Sequence, residues 1–233
     1  MSTTAFLSLF SAADALGVLL ILACWFGTGW LIEHPSAARP SVSTLMAENR
    51  REWLRQMVGR SNRIFDAQIL GTLRNNSSFF ASSTMIAIGG TLALLGNSDE
   101  LSGIASDLGG ELNPVVFWEV KLLLVLLFMV NAFLKFVWSN RLFGYCGVLM
   151  GAIPNEVSDA KCMPRALKAA QINIFAARSF NRGLRSIYFA MAATGWFLGP
   201  LGLMAATAVT CAVLWRREFA SRSRELLLQR EDD

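Results

Sequence analysis

The chain is poor in charge. Asp, Glu, Lys and Arg together make up 16% of its 233 residues, well under the roughly 25% of a soluble domain. It has a single histidine, His34, which excludes a two-histidine haem site and zinc clusters of ordinary ligand spacing. Its four cysteines, Cys24, Cys146, Cys162 and Cys211, include no CxxC pair, so they read as small apolar side chains and not as a disulfide or metal framework. There is no GxSxG, no HExxH, no phosphate-binding loop and no Gly-rich dinucleotide turn, and no enzymatic activity or cofactor is expected. No positive charge precedes the first apolar block; Asp14 is the first charged side chain. A secretory signal is therefore not expected, and that block reads as a retained span.

What the chain has is unbroken apolar sequence: 54% hydrophobic residues and a mean hydropathy of +0.44. The expected spans are about 12–32, 78–96, 114–137 and 184–216. The last block holds Gly199-Pro200-Leu201-Gly202 and reads either as a hairpin of two short helices around Gly199-Pro200 or as one long span. The twelve residues 142–153 are too short to cross and read as a re-entrant or interfacial segment. The fold class expected is all-α, a polytopic membrane helical bundle in one domain, 1–233, with long amphipathic cytoplasmic helices. One runs from Thr44 to Leu73, capped by Ser43 or Thr44, with Leu54, Met57, Val58, Phe65, Ile69 and Leu73 on its apolar stripe. It can lie on anionic headgroups or pack against other helices of the same chain. A second runs over 158–182.

Charge placement sets an orientation. The segment before the first span carries no Lys or Arg, 33–76 carries seven, 97–113 none, 135–185 eight and the tail after 215 five. Basic segments stay in the cytoplasm. The N-terminus is thus expected outside, and the hairpin reading returns the C-terminus to the cytoplasm of a bacterial inner (plasma) membrane. The net charge of +4 is explained by these flanks, and no nucleic-acid partner is expected.

Two sets of side chains are candidates for function. Arg178, Asn181, Arg182 and Arg185 fall at i, i+3, i+4 and i+7, one helix face. A hairpin would bring Arg216 and Arg217 to the same end, giving a place for an anion or a phospholipid headgroup; the same arginines can equally be interfacial anchors. The second set is polar residues within apolar blocks: Ser82, Ser83 and Thr84 at the start of the second span, and Glu119, Asn131 and Lys135 in the third. A carboxylate inside a span is costly and is usually paired or functional. The hydroxyls, with Gly89-Gly90, also serve close helix packing.

Five stretches carry a resemblance: NRREWLRQMVGRSNRIFDAQI (49–69), FFASST (79–84), KFVWSNRLFGYCGVLMGAIP (135–154), FNRGLRSIYFAMAATGWFLGP (180–200) and VLWRREFAS (213–221). Over residues 12–221 the chain resembles a family of uncharacterised bacterial proteins with plant relatives, known only as a domain of unknown function. Ile187 stands where members carry the first of two aromatics. The resemblance implies an integral membrane protein of several helices and no catalytic residue. The expected function is a structural, assembly or scaffold role in the bilayer, with homo-oligomers as partners. The alternative is a small oligomeric channel or transporter for an anion or lipid-like solute, and an intramembrane enzyme is the remote one.

Overall fold

The computed structural model describes residues 9–97 and 114–229. The segment 97–113, which carries no Lys or Arg, lies outside them apart from Asn97, as does the end of the tail. The described residues are helical, without a strand. In chain order the helices are α1 (Ala12–Glu33), α2 (Val42–Val58), α3 (Ile64–Gly96), α4 (Val115–Gly151), α5 (Cys162–Thr194), a 3₁₀ turn (Gly195–Leu198), α6 (Pro200–Phe219) and α7 (Arg222–Leu228). Three of them, α1, α3 and α4, are long and apolar enough to cross a membrane. The 33 residues of α3 and the 37 of α4 make rods of about 50 and 55 Å at 1.5 Å per residue.

Polar side chains do not break these rods, because they bond to their own helix. Thr28 Oγ1 donates to the Cys24 carbonyl at 2.7 Å, Thr72 Oγ1 to Gln68 at 3.0 Å and Thr91 Oγ1 to Ala87 at 2.8 Å. Continuity corrects one expectation. Residues 142–153 are not a separate re-entrant segment. They complete α4, which runs on from the third apolar block to Gly151. Likewise 158–182 is not a helix of its own: α5 starts at Cys162 and continues into the last apolar block.

The chain divides into two compact units. The first takes Met1–Gly29, Ser83–Ala132 and Leu184–Leu214. Its core joins Ile21 of α1, Phe128 of α4, Phe189 and Ala193 of α5, and Leu203 of α6, all at most slightly exposed. At its end the last apolar block folds as two helices. Gly199 has φ of 95°, the left-handed region open to glycine, and its N–H donates to the Trp196 carbonyl at 3.0 Å. Pro200 then begins α6, where a missing N–H costs nothing. Tyr188, Met191 and Ala192 of α5 share a groove with Ala206, Val209 and Val213 of α6, so the two arms run antiparallel. A Cβ on Gly195 would stand 2.7 Å from the Gly202 carbonyl oxygen, and the absence of side chains there is what allows this approach.

The second unit takes Trp30–Ser82, Phe133–Gly183 and Trp215–Asp233. Leu54, Met57 and Val58 of α2 pack with Leu70 of α3, Phe143 and Cys146 of α4, and Ala166 and Ala170 of α5. Fully burying side chains such as Leu54 or Met57 stabilises the unit by about 1.5–3 kcal/mol each. Alanines on α5 let the larger side chains of α4 come close.

The single helix expected from Thr44 to Leu73 is two. Its cap is Ser41, whose Oγ accepts from the Thr44 N–H at 3.2 Å and donates to the Ile32 carbonyl at 2.8 Å. α2 stops at Val58, with Gly59 as its C-cap. α3 restarts with Asn62 Oδ1 accepting from the Ile64 N–H at 2.9 Å. The interruption shifts the phase of the apolar stripe. Leu54, Met57 and Val58 are buried as expected, but beyond the break Asp66 and Leu70 face inward while Phe65 is 63% exposed.

Candidate functional site

Asp66 organises the turn between α2 and α3 from within the second unit. It is wholly buried in the first turn of α3, where a negative charge meets the positive end of the helix dipole. Its Oδ1 accepts from Trp53 Nε1 at 2.6 Å and from Arg60 Nη1, with which it forms an ion pair. Arg63 donates to the carbonyls of Ile153 and Pro154, each at 3.0 Å, and Arg165 donates to that of Ala152. These carbonyls lie at and beyond the C-terminal end of α4, where helical partners run out. Arg224 Nε does the same for Pro40, at 2.8 Å. Much of the arginine that the sequence places on amphipathic faces therefore ties helix ends and loops.

The predicted basic face is divided. Arg178, Asn181 and Arg182 belong to the second unit and Arg185 to the first. Arg178 is exposed. Arg182 makes a two-point ion pair with Glu33, Nε to Oε1 at 2.8 Å and Nη2 to Oε2. That hydrogen bonding holds the Arg182 pKa above its ordinary value, against the opposite pull of burial. Asn181 Nδ2 donates to Ser43 Oγ at 3.4 Å. Ser43 in turn donates to Glu218, from Oγ to Oε1 at 3.0 Å and from its N–H to Oε2 at 3.1 Å. Arg216 and Arg217 are exposed in the last turn of α6, where cations favour the helix terminus. The face thus carries two carboxylates, Glu33 and Glu218, that its spacing in sequence did not reveal.

One basic residue outside the predicted set has a different environment. Arg50 of α2 is half-buried. Its Nη1 donates to Oδ1 of Asn173, a fully buried amide on α5, at 2.5 Å. No carboxylate among the described residues forms an ion pair with it. Burial lowers its pKa from the ordinary guanidinium value, and the nearby Cys146 sulfur pulls in the opposite direction. Arg50, Asn76 and Asn181 line a small pocket walled by Leu73, Phe143 and Phe180.

The intramembrane candidates are also distributed. In the first unit Thr84 is buried, while Ser83 is exposed. Asn131 Oδ1 accepts from Ser186 Oγ at 3.0 Å, joining α4 to α5. Arg185, beside that serine, is buried, its guanidinium 4.0 Å from where a Cβ on Gly29 would stand. Glu119 is partly buried. In the second unit Ser82 is exposed, and the Lys135 backbone carbonyl accepts from Ser179 Oγ at 2.8 Å.

The residue missed in the first unit is Lys121, 2% exposed. Its Nζ lies 3.9 Å from the Phe117 ring centroid, 4.8 Å from that of Trp118 and 5.8 Å from that of Trp196. Asp14, the first charged side chain of the sequence, is buried beside it. Asp14 accepts from Trp196 Nε1 at 2.7 Å and from Ser11 Oγ at 2.6 Å. Among the described residues no group of three or more His, Cys, Asp or Glu could hold a metal ion.

These features define an all-helical protein with three helices suited to a bilayer and a second helical unit tied by arginines. The chain belongs to the family described as protein of unknown function, DUF599, whose model matches residues 16–223. No curated protein and no solved structure matches it.

Proposed function

We propose that the chain is a non-enzymatic, multi-pass protein of the bacterial inner membrane that serves assembly, its second unit presenting a surface to another protein. One stripe on α4 carries this reading. Leu134, Trp138, Tyr145 and Val148 are 57, 50, 42 and 74% exposed and fall at 0, 4, 11 and 14 along the helix, one narrow face. In the middle of that face lies Arg141, whose Nε donates to the Tyr145 hydroxyl at 2.6 Å and whose guanidinium carbon lies 5.7 Å from its ring centroid. A stripe covered only by lipid tails would exclude a guanidinium. An aromatic and aliphatic stripe with a central arginine matches the make-up of protein interfaces.

A photo-crosslinking amino acid placed at Val148 in the full-length chain, in native membranes, tests the reading. Leu19 of α1, 65% exposed, serves as the comparison site. Protein adducts from position 148, a dimer of this chain among them, with lipid adducts only from position 19, would support it. Lipid adducts alone at both positions would sink it.

The orientation proposed has the N-terminus outside and the C-terminus with the arginine-rich segments in the cytoplasm. It rests on the alternation of basic flanks and on the reversal of direction at Gly199. A reporter fused after Asp233 that is active only outside the cytoplasm would overturn it.

A further inference from the structure

We propose that the pocket of Arg50, Asn76 and Asn181 in the second unit is a binding site for a phosphate-sized oxyanion. The argument starts with unmet charge. A guanidinium has five N–H donors and no acceptor. Of these, Arg50 spends one on the neutral amide of Asn173 and none on a carboxylate among the described residues. Other arginines of this unit have a different fate: Arg60 meets Asp66, Arg182 meets Glu33, and Arg63, Arg165 and Arg224 close backbone carbonyls. A half-buried cation without a counter-charge is costly, and an anion would offset that cost.

The pocket has the size and chemistry to admit one. Its volume is about 50 Å³, above the roughly 10–15 Å³ that a single water needs. Asn76 brings an amide NH₂ and Asn181 the amide N–H left over from its bond to Ser43, and the planar guanidinium matches two oxygens of an oxyanion at once. Leu73, Phe143, Phe180 and Ala177 supply apolar walls that lower the local dielectric and strengthen each contact. Asn76 is exposed and gives the pocket an open rim. The shared chemistry is a phosphate group, whether free in solution or borne by a lipid. The site stands apart from the proposed protein-facing stripe on α4 and holds whether or not that stripe has a partner.

The test uses the full-length chain purified in a neutral detergent. Its melting temperature is followed against sodium phosphate, with sodium chloride at equal ionic strength as reference, and retained anionic phospholipid is measured by native mass spectrometry. Four proteins are compared: the natural chain, Arg50→Gln, Asn76→Leu and, as a basic residue away from the pocket, Lys168→Gln. Because Asn76 is exposed, Asn76→Leu keeps the test sharp should Arg50→Gln not fold. A saturable, phosphate-specific rise that Asn76→Leu weakens about tenfold or more, as expected for loss of a hydrogen bond to a charged group, and that Lys168→Gln leaves intact, supports a free anion. No phosphate response, but phospholipid retained by the natural chain and by Lys168→Gln and lost from Asn76→Leu, supports a lipid phosphate. If neither ligand is held, or if Lys168→Gln loses it as fully as Asn76→Leu, the proposal is overturned.

Discussion

Arg182 and Glu33 are 149 residues apart in sequence and meet as a planar two-point ion pair, Nε to Oε1 at 2.8 Å with Nη2 on Oε2. Glu33 is the last residue of α1 and Arg182 lies within α5, so the pair clamps the end of one helix to the flank of another. The acid's side chain is 9% exposed and the arginine's 45%. The geometry is specific, but solvent reaches the cation and moderates the energy.

A double-mutant cycle on this pair, read by melting of the purified chain, is expected to give a coupling of about 1 kcal/mol, between the values for exposed and buried pairs. Arg182→Ala should cost more than Glu33→Gln, because it takes two charged hydrogen bonds from a nearly buried carboxylate, whereas glutamine keeps one acceptor for the guanidinium. Additive losses would show that the pair carries no coupling.

Asp66 should behave differently, being fully buried with two donors on one oxygen. Asp66→Ala removes the acceptor for both Trp53 and Arg60, and a loss of about 3 kcal/mol or more is expected. Trp53 fluorescence provides a local signal, since its indole N–H loses its bond. Asp66→Asn keeps an acceptor oxygen and should lose less. Equal losses for the two variants would mean that the negative charge paired with Arg60, and not the acceptor oxygen, holds the turn.

The contrast between these arginines explains what could be read from sequence. Apolar blocks are legible because the property that matters sums along the segment, and α1, α3 and α4 are long and apolar enough to cross a membrane. Helix ends are not, because they depend on single side chains. Gly59 and Asn62 carry the signal for the break between α2 and α3, yet the apolar spacing on either side hides it. Ser139 and Asn140 follow directly on the apolar block whose expected end is residue 137. In the fold Ser139 is buried in the middle of α4, donating to the Ala176 carbonyl at 2.8 Å and sharing a hydrogen bond with Ser77. The basic face over 178–185 was visible as spacing, whereas Glu33 and Glu218 reach it from distant parts of the chain. In sequence Arg50 is one of several arginines between Thr44 and Leu73; only the packing of α2 against α5 sets it against Asn173.

The buried cluster of Lys121 and Asp14 yields a third expectation. Lys121 lies over aromatic faces, and a cation there gains from the ring quadrupoles while losing hydration. The two effects oppose each other. Lys121→Met, which keeps the apolar stem and removes the charge, is expected to change stability by less than about 1.5 kcal/mol. Asp14→Leu removes the acceptor for Trp196 Nε1 and takes away the carboxylate that favours the Lys121 cation, so it should cost about 2–3 kcal/mol. Melting of both variants in one detergent decides the order; the reverse order would mean that Lys121, not Asp14, anchors the cluster.

The turn between α5 and α6 separates two kinds of glycine requirement. At Gly199 the need is conformational: φ is 95°, but nothing lies within 4 Å of an added Cβ. Gly199→Ala should therefore cost only the strain of a residue held at positive φ with ψ of 176°, about 1–3 kcal/mol. At Gly195 the need is steric. A Cβ would meet the Gly202 carbonyl oxygen at 2.7 Å and the Ala206 Cβ at 2.9 Å, and backbone at that distance cannot yield as a flexible side chain would. Gly195→Val must push the two arms apart, and the loss expected is larger, about 3 kcal/mol or more, as for overpacking of a rigid core. Cysteines introduced at Met191 and Val209, which line the shared groove of the two arms, in a background with the four natural cysteines replaced, report on the separation directly. Crosslinking with a short bifunctional reagent should survive Gly199→Ala and fall sharply in Gly195→Val. Equal crosslinking in both would mean that the close approach at Gly195 does not hold the arms together.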